Sequence, residues 1–250
     1  MKKLGSALVL LAAAVLGSSA WGASVMDKGE IVVGTESTFP PFEFLSPDGK
    51  LQGYDVDLAE AIGQKLGKKV VWRDMSFDAL IPSLLTGKID LIAAGMSASP
   101  ERAKRVGFSD VYYRATSVVV IAAGSPIKSL ADLQGKTMAV QLGTIQETFL
   151  RGQPGVSVRA YQKYDDCLRE VVLGRADGAM MDETVAGEFL KQADFAGKIV
   201  SAFTQAAGES GQALAMPKGD ETFISAVNKA LAELKQEGFL QALSDKWIKK

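Results

Sequence analysis

Residues 90–102, DLIAAGMSASPER, contain the local pattern that most clearly indicates the fold class. The apolar run at 90–93 predicts a buried strand. Ser99 followed by Pro100 predicts the start of a helix, with serine as the N-cap and proline as the first helical residue. The link between them is short and contains Gly95. A strand that passes through a glycine turn directly into a helix is typical of α/β proteins with a mostly parallel sheet.

The same alternation continues on both sides of this stretch, in two series of similar length. The first series predicts further strands at 31–34 and 70–72 and helices at 55–67 and 77–85. The second begins after Tyr112-Tyr113 and predicts strands at 117–122, 137–140, 156–158 and 177–181, with helices at 146–150, 164–173 and 184–192. The chain then ends with a strand at 213–216 and two helices that carry apolar residues at 223–234 and 240–247. We expect Asp55 to cap its helix and Leu80, Ile81, Leu84 and Leu85 to face the core.

Two such series predict an α/β protein with two Rossmann-like lobes. In open α/β sheets, ligands bind beyond the carboxyl ends of the strands, so two facing lobes would enclose one cleft. Periodicity alone does not establish that the lobes face each other.

The composition excludes several classes of function. The 250 residues include 28 Lys+Arg and 29 Asp+Glu, and the absence of a basic block argues against a nucleic-acid partner. There is no His and only one Cys, which excludes His-based triads, His metal sites and intramolecular disulfides. We expect no metal and no cofactor. The chemistry that remains must use carboxylates, Ser or Thr hydroxyls, Lys or Arg, Tyr, or backbone groups.

The first residues have the pattern of an export signal. A basic start at Lys2 and Lys3 is followed by an apolar run at 4–16 and then by small residues. The run is shorter than the ~20 residues that a membrane-spanning helix needs, so a membrane anchor is disfavoured. We predict a signal peptide over residues 1–23 and a periplasmic product.

Four segments carry candidate recognition residues. In the first, Gly95 allows close approach to the backbone, Ser97 offers a hydroxyl, and the planar fork of Arg102 suits a carboxylate. The alternative is an ordinary capped helix with a solvated arginine. In the second, the proline-stiffened loop at 35–44 presents Phe39 for stacking, while Phe42 and Phe44 are assigned to the core.

The third and fourth segments follow strands of the second series. The glycine turn at 141–147 would present backbone N–H groups to an anion, although a plain connection is equally consistent with it. Asp182, at the end of a predicted strand, would pair with an ammonium group or else cap the next helix. Glycine-rich phosphate motifs are absent from the sequence, so a nucleotide is not indicated.

Taken together, these segments resemble the periplasmic polar amino-acid binding proteins of ABC importers, over roughly residues 28–248. The matching stretches are Gly34-Thr35-Glu36, Phe39-Pro40-Pro41-Phe42-Glu43-Phe44, Gly53-Tyr54-Asp55-Val56-Asp57-Leu58-Ala59, Gly87-Lys88-Ile89-Asp90, Gly95-Met96-Ser97 with Pro100-Glu101-Arg102, Phe108-Ser109-Asp110 with Tyr112-Tyr113, and Asp245-Lys246-Trp247. The resemblance implies type II periplasmic binding protein architecture, with lobe 1 at 28–114 plus 208–250 and lobe 2 at 115–207, joined by two hinge strands.

The resemblance also implies a ligand-binding set. Arg102, Ser97 and the backbone near Thr144 and Ile145 would hold the α-carboxylate of an amino acid. Asp182, the Gly95 carbonyl and the Ser97 hydroxyl would hold its α-ammonium. The full set is Glu36, Phe39, Phe77, Gly95, Met96, Ser97, Arg102, Gln141, Thr144, Ile145 and Asp182. Ile145 stands where the family usually has Thr, but the implied role there is a backbone one.

The resemblance points to a basic ligand. Phe39 and Phe77 would sandwich the ligand side chain, with Glu36 facing its distal end, and two aromatic faces suit a planar guanidinium. Gln141 stands where some relatives have Lys, which would repel a cation. Gln141 and the Gln-Pro-Gly segment at 153–155 are similar to arginine-binding members. We expect L-arginine first, then lysine, ornithine or histidine, with glutamine as the main neutral rival.

Several further expectations follow from the resemblance. The partners would be an ABC permease and its ATPase in the inner membrane, and the binding protein would act as a monomer. A different class is represented by cyclohexadienyl dehydratases, which resemble this family and use a pocket carboxylate as general acid. The full set of amino-acid anchors argues against that enzyme here, so we expect no catalytic residue.

Overall fold

The computed structural model describes residues 24–208 and 211–249. The predicted signal peptide therefore lies outside the described residues. Two five-stranded sheets, each covered by helices, and one small three-stranded sheet form the fold. The strands are β1 (Glu30–Thr35), β2 (Thr38–Phe39), β3 (Glu43–Leu45), β4 (Leu51–Gln52), β5 (Lys69–Asp74), β6 (Leu91–Ile92), β7 (Gly107–Phe108), β8 (Ser117–Ala122), β9 (Thr137–Gln141), β10 (Ser157–Tyr161), β11 (Gly178–Asp182), β12 (Ile199–Thr204) and β13 (Ala215–Met216).

The α-helices are α1 (Tyr54–Lys65), α2 (Phe77–Leu85), α3 (Pro100–Ala103), α4 (Ile145–Arg151), α5 (Tyr164–Val172), α6 (Glu183–Lys191), α7 (Glu221–Gln236) and α8 (Phe239–Trp247). Short 3₁₀ helices lie at Val25–Asp27 and Leu130–Leu133. None of the helices in the described part of the chain is both long and apolar enough to cross a membrane.

The first sheet has the order β5-β1-β6-β13-β7. Strands β5, β1 and β6 are parallel, whereas β13 pairs antiparallel with β6 and with β7. The second sheet has the order β10-β9-β11-β8-β12, with β10, β9 and β11 parallel and β8 antiparallel to both neighbours. The predicted two-lobed α/β class is confirmed. Each sheet contains both parallel and antiparallel pairs, because β13 in the first sheet and β8 in the second run antiparallel to their neighbours.

Two sequence expectations about α1 and α2 are wrong. The residue before α1 is Gly53, and Asp55 lies inside the first turn without capping it. The buried Asp55 carboxylate instead accepts hydrogen bonds from the Gly95 N–H at 2.8 Å and the Tyr112 hydroxyl at 2.6 Å. Leu85 ends α2 and is 50% exposed, whereas its neighbour Leu84 is buried, so Leu85 lies on the outer face of the helix.

The chain crosses between the sheets twice, after β7 and again before β13. Gln212 lies where the two crossings meet, in isolated bridges with Ser97 and Tyr113. Its N–H donates to the Tyr113 carbonyl at 2.8 Å, and its carbonyl accepts from the Tyr112 N–H at 3.0 Å. These hydrogen bonds therefore join the two crossing segments to each other, next to the turn that follows β6.

Candidate functional site

A cavity lies between the two sheets. Its lining residues are Glu36, Phe39, Glu43, Phe77, Ala94, Gly95, Ser97, Arg102, Gln141, Thr144, Ile145, Gln146, Tyr164 and Asp182. All of the predicted site residues lie there except Met96. The Met96 side chain packs in the apolar core with Leu80 and Ile92, while its carbonyl accepts from the Ala213 N–H at 3.0 Å.

Arg102 connects the two lobes at one side of the cavity. Its guanidinium donates to the carbonyl of Ser97 at 2.8 Å and to the carbonyl of Gly143, in the other lobe, at 2.9 Å. Its Cζ lies 5.3 Å from the centre of the Phe77 ring. Burial lowers the pKa of Arg102 to about 10, so the side chain is still charged at neutral pH. Ser99 caps α3 as expected, by accepting from the Arg102 N–H at 3.3 Å.

Asp182 ends β11 and precedes α6, but its carboxylate makes no capping bond to that helix. It accepts instead from the Gln146 amide at 2.7 Å and from the Gln212 amide at 3.0 Å. Burial raises the pKa of Asp182 to about 6, and these two amides and Arg102 oppose the shift. The carboxylate is thus fixed in place by two neutral donors and has no cation bonded to it.

Glu36 lies on the loop after β1 and is buried. It accepts hydrogen bonds from the Thr38 hydroxyl and from the Gln141 amide at 3.2 Å. The same Gln141 amide donates to the Gln162 carbonyl at 3.0 Å, so Gln141 links Glu36 to the second lobe. Burial raises the pKa of Glu36, and the hydrogen bonds from Thr38 and Gln141 oppose this rise.

Glu43 also lines the cavity, although the sequence reasoning assigned it no role. It begins β3, directly opposite Phe39 of β2, and is fully buried. Neither of its carboxylate oxygens has a hydrogen-bond partner. Burial raises the pKa of Glu43 well above its ordinary value, and the nearby acids Asp55, Glu36 and Asp182 add to the effect. An acid within the apolar run Pro-Pro-Phe-Glu-Phe is the sequence signal that could have identified it.

Aromatic rings form one wall of the cavity. The Phe39 ring stacks on Phe42 at 5.5 Å and on Tyr164, at the start of α5, at 5.7 Å. Gly95 is tightly constrained beside this stack, because a Cβ atom there would lie 2.4 Å from Cε1 of Phe39. Tyr164 was missed in the sequence because its role depends on contact with a ring 125 positions earlier in the chain.

The turn between β9 and α4 brings backbone groups to the cavity from the second lobe. Thr144 caps α4 by accepting from the Glu147 N–H at 3.2 Å, and its hydroxyl donates to the Gln141 carbonyl at 2.7 Å. Gly143 has a φ of +80° and its carbonyl binds Arg102. The turn therefore connects β9 to α4 and also contacts the opposite lobe.

The cavity combines one guanidinium with three buried carboxylates and two aromatic surfaces. Arg102 lies on one side, and Asp182 is held by amides nearby. Glu36 and Glu43 add two further acids. Buried charges require partners, so the excess of acids suits a molecule with one carboxylate and two positive groups.

Sequence and structure comparisons show which known proteins this chain is similar to. Residues 31–250 match the family model for bacterial extracellular solute-binding proteins, family 3. The arginine-binding extracellular protein ArtP of Bacillus subtilis is 37% identical over 249 residues, covering 98% of this chain and 96% of ArtP. A solved ancestral arginine-binding protein with bound arginine has a TM-score of 0.83 at 39% identity, covering 88% of this chain and 98% of that one. A solved ancestral arginine-binding protein with bound glutamine has a TM-score of 0.84 at 39% identity, over 89% and 99% of the two chains.

Proposed function

The chain belongs to family 3 of the bacterial extracellular solute-binding proteins, and from this premise we propose that its cavity binds a basic amino acid, L-arginine first. One observation carries the proposal: the cavity lining contains three buried carboxylates and a single guanidinium. An amino acid with a cationic side chain offsets part of that excess of acids, whereas a neutral side chain offsets none of it. The solved relatives that hold arginine support the choice of ligand.

In this proposal each end of the amino acid has its own partners. Arg102 binds the α-carboxylate with Ser97 and the backbone at Thr144 and Ile145. Asp182 and the Gly95 carbonyl bind the α-ammonium, and Phe39 and Phe77 cover the side chain. Arg102 already lies at the lobe boundary through its bond to the Gly143 carbonyl, which supports a grip shared by both lobes.

Delivery follows from lobe closure around the ligand. We propose lobe boundaries of 28–114 plus 208–250 and 115–207, with the crossings at Tyr113 and Gln212 acting as the hinge. The protein would be exported by a signal peptide over 1–23 and act as a periplasmic monomer. It would deliver its ligand to an inner-membrane permease with its ATPase, and it would catalyse no reaction.

Titration calorimetry tests the proposal. The protein is unfolded and refolded to remove carried-over ligand, and is then titrated with arginine, lysine, ornithine, histidine, glutamine and glutamate. We expect arginine to bind with a micromolar or lower dissociation constant, equivalent to about −8.2 kcal/mol or better. Glu36→Gln should weaken arginine far more than glutamine, because only arginine carries a positive charge at that end. Equal losses for the two ligands would contradict the assignment.

Glutamine is the second candidate, because a similar ancestral protein has been solved with glutamine bound. Tight binding of glutamine with weak binding of arginine would preserve the amino-acid site but overturn the basic specificity. A dehydratase activity is the third candidate, since a buried acid with a raised pKa such as Asp182 could act as a general acid. Turnover of prephenate or arogenate would establish that activity.

A further inference from the structure

Gln212 is a buried residue at the second crossing between the sheets, and the proposed function gives its side chain no role. The residue is 1% exposed. Its backbone forms bridges with Ser97 and with Tyr113, so it joins both crossings to the turn that follows β6. Its side chain reaches the second sheet, where the amide donates to the Asp182 carboxylate at 3.0 Å. One residue therefore connects the crossings to both sides of the cavity.

Gln212 lies beside all three groups that are proposed to bind the α-ammonium. Its backbone bridges Ser97, and the residue that follows it donates its N–H to the Met96 carbonyl at 3.0 Å. Its amide nitrogen would lie 3.4 Å from a Cβ atom placed on Gly95. The same nitrogen bonds Asp182. Gly95 and Ser97 follow a strand of the first sheet and Asp182 ends a strand of the second, so Gln212 lies where the two halves of this site meet.

The amide of Gln212 is oriented by Asp182. Its oxygen is buried and has no hydrogen-bond partner among the described residues, whereas its nitrogen donates to Asp182. The reverse orientation would place the amide oxygen against the carboxylate, and both are acceptors. Asp182 accepts its other hydrogen bond from Gln146 of α4, which packs on the same sheet as Asp182. Gln212 is thus the donor that reaches this acid from the crossing segment.

We propose that Gln212 is a positioning residue for the α-ammonium site, which holds Asp182 in line with the Gly95 carbonyl and the Ser97 hydroxyl. This rests on the proposed function, because it assumes that the α-amino group of the ligand binds there. An ammonium group has three donors, and each needs its acceptor within hydrogen-bond reach. A shift of one acceptor leaves a buried donor unpaired, which weakens binding. Gln212 acts through Asp182 and is not among the residues that line the cavity.

An arginine analogue without the α-amino group, 5-guanidinopentanoic acid, isolates this role. Wild type, Gln212→Met and the control Gln205→Met are titrated with both ligands by calorimetry, with displacement titrations for the weaker ligand. Gln205 lies in the same crossing segment, but its amide donates to the Ala206 carbonyl. Gln212→Met should weaken arginine by about 5- to 30-fold and the analogue by less than about twofold. Gln205→Met should leave both affinities unchanged.

The pH dependence of binding gives a second readout, which a merely structural role would not change. Burial raises the pKa of Asp182 to about 6, and the hydrogen bond from Gln212 opposes the rise. Gln212→Met should raise this pKa further, so its loss of arginine affinity should be larger at pH 6 than at pH 8. The other charged and titratable groups that interact electrostatically with Asp182 are Arg102, Glu43 and Tyr164, and the variant retains all three.

The outcomes separate the two ideas. A wild type that does not bind arginine, or that binds the analogue as tightly, overturns the proposed function. A wild type that prefers arginine, with Gln212→Met losing both ligands equally or neither, overturns only the role of Gln212. A loss of arginine affinity that is the same at pH 6 and pH 8 also contradicts that role. Gln212→Asn, whose amide is one methylene shorter, should show the same selective loss, and it replaces Gln212→Met if that variant does not melt cooperatively.

Discussion

At the scale of the residue, we expect a substitution at Arg102 to have a large effect on binding. Its guanidinium contacts the Ser97 carbonyl, the Gly143 carbonyl and the Phe77 ring at once. Arg102→Ala should reduce the binding free energy of arginine by about 2–5 kcal/mol, since it would leave the ligand carboxylate buried and unpaired. Calorimetry measures the loss. The exposed neighbour Arg105 provides the control, and Arg105→Ala should bind as wild type does. An Arg102→Ala variant with wild-type affinity would disprove the carboxylate role.

Asp55 acts on the site indirectly, by fixing the Gly95 turn. Its carboxylate accepts from the Gly95 N–H and the Tyr112 hydroxyl, so Asp55→Ala leaves two buried donors unsatisfied. We expect this variant to lose at least about 2 kcal/mol of unfolding free energy, measured by urea denaturation. Asp55→Asn retains an acceptor oxygen and removes a buried charge, and it should therefore lose much less. Similar losses for the two variants would show that the charge, and not the acceptor, is what matters.

At the scale of the element, the turn from β6 into α3 determines how close the backbone comes to the aromatic wall. Gly95 has a φ of +54°, and a Cβ atom there would collide with Phe39. Gly95→Ala should reduce both stability and ligand affinity. Gly87→Ala is the matched control, because Gly87 also has a positive φ, of +71°, but nothing lies within 4 Å of its Cβ position. Gly87→Ala should lower the unfolding free energy only by the backbone strain, about 1–2 kcal/mol, and should leave the ligand affinity unchanged. Equal affinities for the two variants would rule out the close approach as a requirement.

Elements with a strong local pattern were predictable from sequence, whereas those formed by long-range pairing were not. The apolar spacing of α2 and the β-branched run of β8 predicted residues 77–85 and 117–122, as the structure has them. Strand β12 was missed. Its sequence is interrupted by polar residues and most of its side chains are exposed, so it lacks the continuous apolar run of its neighbour β8. The three-stranded sheet β2-β3-β4 was missed because its strands have only two or three residues each.

At the scale of the whole molecule, the buried acids predict opposite pH trends for stability and binding. The pKa of Asp182 is about 6 in the folded state, above the ~3.9 of an unfolded aspartate. Between these values the folded protein binds more protons, so the unfolding free energy falls as pH rises from about 4 to 6. Ligand affinity should rise over the same range, because the α-ammonium requires an ionised Asp182.

Melting temperature and calorimetry between pH 4.5 and 8 test this pair of trends in the ligand-free and ligand-titrated protein. In Asp182→Asn, the unfolding free energy should depend less on pH than it does in wild type. This variant should also bind ligand weakly at every pH. A wild-type protein whose stability and affinity rise together with pH would contradict the assignment of a raised pKa to Asp182.

The site residues that the sequence offered came from short segments with a recognisable local pattern. Arg102 and Ser97 belong to one strand-turn-helix stretch, and both line the cavity. Glu43, Gln146 and Tyr164 were missed, because each acquires its surroundings from distant parts of the chain: the Gln146 amide reaches Asp182, 36 residues away, and Tyr164 stacks on Phe39. Such contacts depend on tertiary packing within and between the lobes, which periodicity does not determine.

The place of β13 within the first sheet has a consequence for the order of assembly. This strand lies between β6 and β7, yet it is the last strand in the chain. The second sheet, in contrast, is built from one uninterrupted stretch, residues 117–204. As the polypeptide emerges from the ribosome, the second lobe has all of its strands while the first still has a gap in its sheet. We therefore expect the cavity between the lobes to be the last part of the molecule to take shape.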